Sequence, residues 1–145
     1  MKKRIRVGHL LCAALLVAGV AIGTTAIAET AATELTVSEL SLASSLADGV
    51  PETTATSFER APQWIYCFMR LDNPTREETS VRVTFEPAEG EVARAGGGTR
   101  LSVPARAHHR TVARTSANRP AGSYRCVVRD DGGNALRHAD FRITE

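Results

Sequence analysis

Residues 64–71 have the sequence WIYCFMRL, the most apolar run of the chain after residue 28. The odd-numbered residues of this run form one apolar face, and aromatic residues occupy positions 64, 66 and 68 on the other. Alternation with a period of two is typical of a β-strand, and a strand that is apolar on both faces is typical of the middle of a sheet. We therefore predict a central strand, ended by the turn residues Asp72-Asn73-Pro74.

Short segments of the same alternation recur along the chain, separated by Gly, Pro, Asn and Asp. The segments begin at Leu40, Trp64, Val81, Val92, Leu101, Arg110, Tyr124 and Leu136. The stretch Asp131-Gly132-Gly133-Asn134 is typical of a hairpin turn, because its residues accept positive φ. About seven or eight short strands with a turn every ten residues or so predict an all-β protein, a single antiparallel β-sandwich.

The first 28 residues have the parts of a secretory signal peptide. Four positive charges in residues 1–6 precede an apolar run from Val7 to Ile22, and Ala26-Ile27-Ala28 provides an A-x-A cleavage motif. A retained membrane anchor is the alternative, but a spanning helix needs about 20 apolar residues and this run is shorter. We predict a signal peptide helix over residues 1–28, a flexible lead-in over 29–38 and the β-sandwich over 39–145. The mature protein is then periplasmic or secreted and has no transmembrane segment.

Two cysteines, Cys67 and Cys126, follow the predicted signal peptide. An even number in an exported protein favours a disulfide, whereas a redox or metal role would favour a C-x-x-C partner that neither has. The two lie in the second and the penultimate predicted strands, where immunoglobulin-like folds join their two sheets. Tyr124 precedes Cys126 by two residues, which is the spacing of a tyrosine corner. The fold expected is therefore immunoglobulin-like, with a Cys67–Cys126 disulfide.

The charge of the mature chain is unevenly distributed. Removal of the signal peptide removes 4 of the 18 basic residues and none of the 16 acidic ones, which leaves a net charge of −2. Residues 29–91 contain 12 acids and four arginines, whereas residues 92–145 contain ten arginines and four acids. Between Arg94 and Arg129 there are eight arginines and no acid. This half of the domain is the part that would attract an anionic partner.

Four arginines in this basic half are candidates for anion binding. Arg110, Arg114, Arg125 and Arg129 would offer guanidinium forks to carboxylates or phosphates if they shared one outward sheet face. The alternative is that the basic half forms ion pairs within the fold, with the acids Glu77, Glu78, Glu86, Glu89 and Glu91. Aromatic residues do not alternate with these arginines as they do on surfaces that bind single-stranded nucleic acid, so no nucleic acid partner is expected.

The order of motifs from Leu40 to Ile143 resembles a bacterial family of uncharacterised envelope domains, domain-of-unknown-function family 2914. The matching motifs are Pro51, Thr56-Ser57-Phe58, Tyr66-Cys67-Phe68, Arg110-Thr111, Arg114-Thr115-Ser116, Gly122-Ser123-Tyr124-Arg125, Val127, Asp130, Gly132, Leu136 and Phe141-Arg142-Ile143. Two positions differ, because this chain has Thr84-Phe85 and Tyr124 where the family tends to have tryptophan. The resemblance implies an exported sandwich with no established activity and no catalytic residue.

No constellation of residues predicts catalysis, a metal or a cofactor. Adjacent strand residues point to opposite faces, so His108 and His109 cannot both ligate one ion from the same strand. His138 and Asp140 belong to the polar face of the last strand, and Asp130-Asp131 fits a turn. No G-x-S-x-G elbow is present. The function expected is a non-enzymatic envelope module that binds a partner protein or an anionic polysaccharide; the alternative is a structural or accessory subunit of a secretion or surface assembly.

Overall fold

The structure, a computed structural model, describes residues 33–90 and 97–145. Ten strands form in these residues: β1 (Thr36–Ala43), β2 (Leu46–Ala47), β3 (Val50–Pro51), β4 (Ser57–Glu59), β5 (Trp64–Asp72), β6 (Thr79–Pro87), β7 (Thr99–Val103), β8 (His108–Ser116), β9 (Gly122–Arg129) and β10 (Ala135–Thr144). The predicted signal peptide and the short segment predicted at Val92 lie outside the described residues. In the part described, no helix has the length and hydropathy needed to span a bilayer.

The strands form two main sheets that pack into a sandwich. One sheet has the order β1-β5-β8 and the other the order β4-β10-β9-β6-β7, while β2 and β3 form a separate hairpin. The pairs are antiparallel, apart from the parallel pair of β4 and β10. Seven of the ten strands have five or more residues, which agrees with the predicted number. The all-β sandwich is therefore confirmed.

The core lies between the two sheets and is supplied by alternate residues of each strand. Its central residues from the smaller sheet are Ile65, Cys67, Met69 and Leu71 of β5, all fully buried, and β5 lies between β1 and β8 as predicted. The larger sheet contributes Val81, Val83, Val103, Cys126, Val128, Phe141 and Ile143. Burial of one face of each sheet removes apolar side chains from water and stabilises the sandwich.

Two features typical of immunoglobulin-like folds are present around β9. The Cys67–Cys126 disulfide joins β5 of one sheet to β9 of the other. The Tyr124 hydroxyl donates a hydrogen bond to the carbonyl oxygen of Pro120 at 2.8 Å, which forms a tyrosine corner. The Tyr124 ring also stacks on Phe141, with 5.6 Å between the ring centroids. Both predictions made from the spacing around Cys126 are confirmed.

Specific turn residues form the β9–β10 and β2–β3 hairpins. Between β9 and β10, the Asn134 backbone N–H donates to Asp130 Oδ1 at 2.8 Å and Gly133 adopts a φ of 88°. The hydrogen bond from the Asn134 side chain is the main cause that lowers the pKa of Asp130 below its usual value, and the hydrogen bond from the Asn134 backbone N–H adds to it. Between β2 and β3, Asp48 and Gly49 have φ values of 50° and 75°, the positive pair that a two-residue type I′ turn requires.

Two parts of the N-terminal half differ from the prediction. β1 begins at Thr36 and not at Glu39, because Val37 is buried and Arg137 Nη1 donates to the carbonyl oxygens of Val37 and Ser38. A bulge between Val37 and Glu39 interrupts the alternation, which hid these residues from the sequence pattern. The parallel strand β4 (Ser57–Glu59) was not predicted either; it buries Phe58 beside β10.

Candidate functional site

The four candidate arginines do not share one face. Arg110 and Arg114 lie on β8 in the three-stranded sheet, whereas Arg125 and Arg129 lie on β9 in the five-stranded sheet. In a two-layer sandwich the outward faces of the two sheets point in opposite directions. The single four-arginine surface considered from the sequence is therefore corrected to two separate pairs.

The β9 pair already has acidic partners within the fold. Arg129 Nη2 lies 3.3 Å from Glu86 Oε1, and Arg129 Nη1 donates to Thr84 Oγ1 at 2.6 Å. The side chains of Glu86 and Arg129 are only 7% and 17% exposed, so solvent screens this ion pair little. Arg125 Nε lies 3.6 Å from Asp140 Oδ1, close enough for an ion pair but not for a hydrogen bond. These two arginines hold the sheet together. Of the predicted acids that the structure describes, Glu86 is the one that pairs with an arginine of this set.

The β8 pair is exposed and has no acidic partner among the described residues. The Arg114 guanidinium carbon lies 4.4 Å from the centroid of the Trp64 ring, a cation–π contact. Trp64 is itself 46% exposed. Arg110 makes no hydrogen bond or ion pair with any described residue. Of the four candidates, Arg110 is thus the guanidinium that is open to a ligand.

Arg110 lines a basic cleft of about 580 Å³ at one end of the three-stranded sheet. The residues of this basic cleft come from β1, β5, β8 and the loop before β8: Ser38, Arg70, Leu71, Asp72, Arg106, His108, His109 and Arg110. Arg106 is exposed, and its guanidinium group, like that of Arg110, has no hydrogen-bond or ion-pair partner among the described residues. The cleft contains three guanidinium groups and one carboxylate.

Like charges lie directly opposite each other at the rim of the basic cleft. Arg70 of β5 pairs in register with Arg110 of β8, and on its other side Arg70 pairs with Glu39 of β1. Arg70 Nε lies 2.8 Å from Glu39 Oε2, so this acid forms an ion pair with Arg70 and not with Arg110. Like charges facing each other across neighbouring strands are destabilising. An anion bound between Arg70, Arg106 and Arg110 would remove that repulsion.

The two histidines of the cleft have different environments. His108 Nδ1 lies 2.8 Å from Asp72 Oδ1, so the one carboxylate of the cleft has a partner. Burial and the positive charge of Arg106, in that order, lower the pKa of His109 below its usual value. His109 is therefore mainly uncharged at neutral pH, and a bound anion would favour its protonation.

The cleft can bind an anion through guanidinium forks, but the arrangement supplies no nucleophile and base in contact. No group of three or more His, Cys, Asp or Glu side chains is placed to hold a metal within residues 33–90 and 97–145. Sequence reasoning missed Arg70 and Arg106 as site residues. Arg70 comes from a distant strand, but the run Arg106–Arg110, in which four of five residues are basic, was a local signal.

Asp131, an exposed acid predicted to be a turn residue, has a structural role. Asp131 accepts hydrogen bonds from Ser80 and from Arg100, whose Nη2 lies 2.8 Å from Asp131 Oδ1. The hydrogen bond from Ser80 is the main cause of the lowered pKa of Asp131, and the charge of Arg100 adds to it. The Asp131 carboxylate thus ties the β9–β10 turn to β6 and β7.

Comparison with known proteins identifies the fold and leaves the family open. No protein-family model matches the chain, so the resemblance to the uncharacterised envelope family remains a prediction. No curated protein matches it either. Among solved structures, it is similar to an immunoglobulin-like protein from Pseudomonas aeruginosa, with a TM-score of 0.51 and 14% identity over 77% of this chain and 97% of that one.

Other similar structures are parts of larger proteins. An alkylpurine DNA glycosylase from Pseudomonas fluorescens matches with a TM-score of 0.49 and 15% identity over 79% of this chain and 32% of that one. A β-glucosidase from Kluyveromyces marxianus matches with a TM-score of 0.47 and 13% identity over 77% and 14%. At these identities a likeness concerns the fold alone. The chain forms an immunoglobulin-like β-sandwich, as the cysteine and tyrosine positions predicted.

Proposed function

We propose that this protein is an exported, non-enzymatic immunoglobulin-like module that binds an anionic envelope partner in the basic cleft. The observation that carries the proposal is the pair Arg70 and Arg110, opposite each other in register, with Arg106 in the same cleft. Glu39 forms an ion pair with Arg70 alone. Guanidinium groups bind carboxylates and phosphates through paired, charge-assisted hydrogen bonds. A cleft with unpaired guanidinium groups is therefore suited to an anionic polymer.

Two features support export, the N-terminal sequence and the disulfide. The first 28 residues have the charges, apolar run and A-x-A motif of a signal peptide. Disulfides such as Cys67–Cys126 form and persist mainly in oxidising compartments, which include the bacterial periplasm and the exterior. The proposed location is accordingly periplasmic or extracellular, where acidic polysaccharides and acidic protein segments are available as partners.

Retention on immobilised polygalacturonate, a polymer with one carboxylate per sugar, tests the proposed function. We expect the protein to be retained at low salt and released by added salt, because exposed ion pairs are screened. The substitutions Arg106→Gln and Arg110→Gln should each weaken the retention. Arg142→Gln is the matched control, since Arg142 is an exposed arginine of β10 in the other sheet. Equal retention of Arg106→Gln, Arg110→Gln and the unaltered protein would refute binding in the cleft.

A further inference from the structure

Among the described residues, one edge of the three-stranded sheet has no strand paired with it. β8 (His108–Ser116) pairs with β5 through nine successive residue pairs without a bulge, and no described strand pairs with its other side. In an antiparallel sheet every second residue of an edge strand directs its N–H and C=O groups away from the sheet. A long, regular edge of this kind is a template for an additional strand.

The other sheet edges in residues 33–90 and 97–145 are short or covered. β1 carries a bulge between Val37 and Glu39, and its backbone carbonyls accept hydrogen bonds from Arg137 and from the Ala55 N–H. In the larger sheet, β4 has three residues and β7 has five. Bulges, covering groups and short strands are the devices by which proteins block edge pairing. Among the described strands, β8 is the edge that combines length and regularity with an unpaired outer side.

The side chains along this edge select an acidic partner. On the outward face of β8, Arg110 and Arg114 are exposed and separated by about 13 Å, the rise of four strand residues. The basic cleft adjoins β8 at His108–Arg110, and a groove of about 390 Å³ adjoins it at Val112–Arg114, beside Trp64. Both cavities also include residues of β5, so neither is confined to the free edge of β8 at which a strand would be added. Carboxylates on alternate residues of an added strand would lie opposite Arg110 and Arg114 and pair with them across the strands.

Charge disfavours a second copy of the protein at this edge in the register centred on Val112. Antiparallel pairing of two β8 strands about Val112 would place Arg110 of each copy opposite Arg114 of the other. That arrangement puts like charges face to face twice, which disfavours the pair. A polysaccharide fits less well than a peptide, because it has no N–H and C=O groups at the spacing of the β8 backbone.

We infer that β8 binds an extended, acidic segment of a partner protein by strand addition, with backbone hydrogen bonds along the edge and carboxylates at Arg110 and Arg114. The inference rests on the proposed function for the charge of the partner and identifies that partner as a protein. Strand addition obtains affinity from main-chain hydrogen bonds and specificity from alternate side chains, which here would be acidic.

A blocked eight-residue peptide of alternating glutamate and valine tests the inference. Binding should slow hydrogen exchange at alternate backbone amides of β8 and leave the amides of β9 unchanged. Two further peptides carry N-methyl groups on their even or on their odd residues. Only one edge of an added strand faces β8, so one methylated peptide should lose binding and the other should keep it.

The charge of the peptide is tested separately. A peptide with glutamine for glutamate should bind the protein more weakly. The protein variants Arg110→Gln and Arg114→Gln should bind the glutamate peptide more weakly, whereas Arg142→Gln should not.

The outcomes separate the mode of binding from the proposed function. Equal binding of both N-methylated peptides, or unchanged exchange in β8 when the peptide is bound, overturns strand addition. Retention on polygalacturonate together with no binding of the peptide overturns strand addition and leaves the basic cleft as an anion site. Loss of both kinds of binding overturns both proposals.

Discussion

At the scale of single residues, His109 is the group through which pH should act on the basic cleft. Burial and Arg106 lower its pKa from the usual value of about 6.5, so the folded protein takes up the proton at lower pH than the unfolded chain does. As the pH falls through about 6.5, the unfolded state binds more protons and the folded protein loses stability. A bound anion opposes this effect, because it offsets the repulsion between Arg106 and a protonated imidazole.

We therefore expect polygalacturonate to bind more tightly as the pH is lowered from about 7.5 to about 5.5, a range in which carboxylates with a pKa near 4 stay ionised. The bound protein takes up more protons than the free protein, and linkage then requires the affinity to rise. Calorimetric titration across this range measures the slope. His109→Gln should remove more of the slope than His138→Gln does, because His138 lies on β10 in the other sheet and does not line the cleft. An identical slope in the two variants would contradict the role assigned to His109.

At the scale of elements, the spacing between β6 and β7 depends on a glycine. Gly98 has a φ of 96°, and a Cβ atom there would lie 2.6 Å from Thr84 Cγ2 and closer still to the carbonyl oxygen of Val83. Gly98→Ala should lower the free energy of unfolding by roughly 1–3 kcal/mol, as overpacking does elsewhere. Urea denaturation measures the change. Gly133→Ala is the control, since Gly133 has a φ of 88° and nothing within 4 Å of its Cβ position. If both variants lose the same stability, the strained backbone alone accounts for the effect and close packing on β6 does not.

The sequence predicted the elements whose alternation is regular. The alternation predicted β5, whose odd residues from 65 to 71 are buried, and β9, whose even residues from 124 to 128 are buried. The turn residues Asp130–Asn134 predicted the β9–β10 hairpin. The bulge in β1 and the three-residue strand β4 carry too little pattern to be predicted. Glu86 and Thr84 have the spacing of a solvated face, yet both are buried, because Arg129 from another strand satisfies their oxygens. The division of the arginines between two sheets likewise depends on strand order, which local sequence does not contain.

At the scale of the whole molecule, the disulfide is the covalent link between the two layers. It joins residues 59 positions apart, and loss of a native disulfide from a small exported domain typically costs about 2–5 kcal/mol. The double variant Cys67→Ala, Cys126→Ala should therefore unfold at lower urea concentration than the oxidised protein. Added reductant should shift the unfolding midpoint of the unaltered protein and not that of the double variant. A midpoint of the unaltered protein that does not respond to reductant would show that the two thiols are not paired in solution.

The place of β10 in the larger sheet determines when folding can finish. The last strand along the chain, β10 (Ala135–Thr144), lies between β4 and β9, and Phe141 and Ile143 from it enter the core. The parallel pair of β4 and β10 closes a contact between residues 57–59 and 142–144. Non-local pairs of this kind form late and slowly, because a long loop must be ordered first. Until β10 is available, the larger sheet therefore cannot be completed, and its core lacks the aromatic side chain of Phe141 and the aliphatic side chain of Ile143.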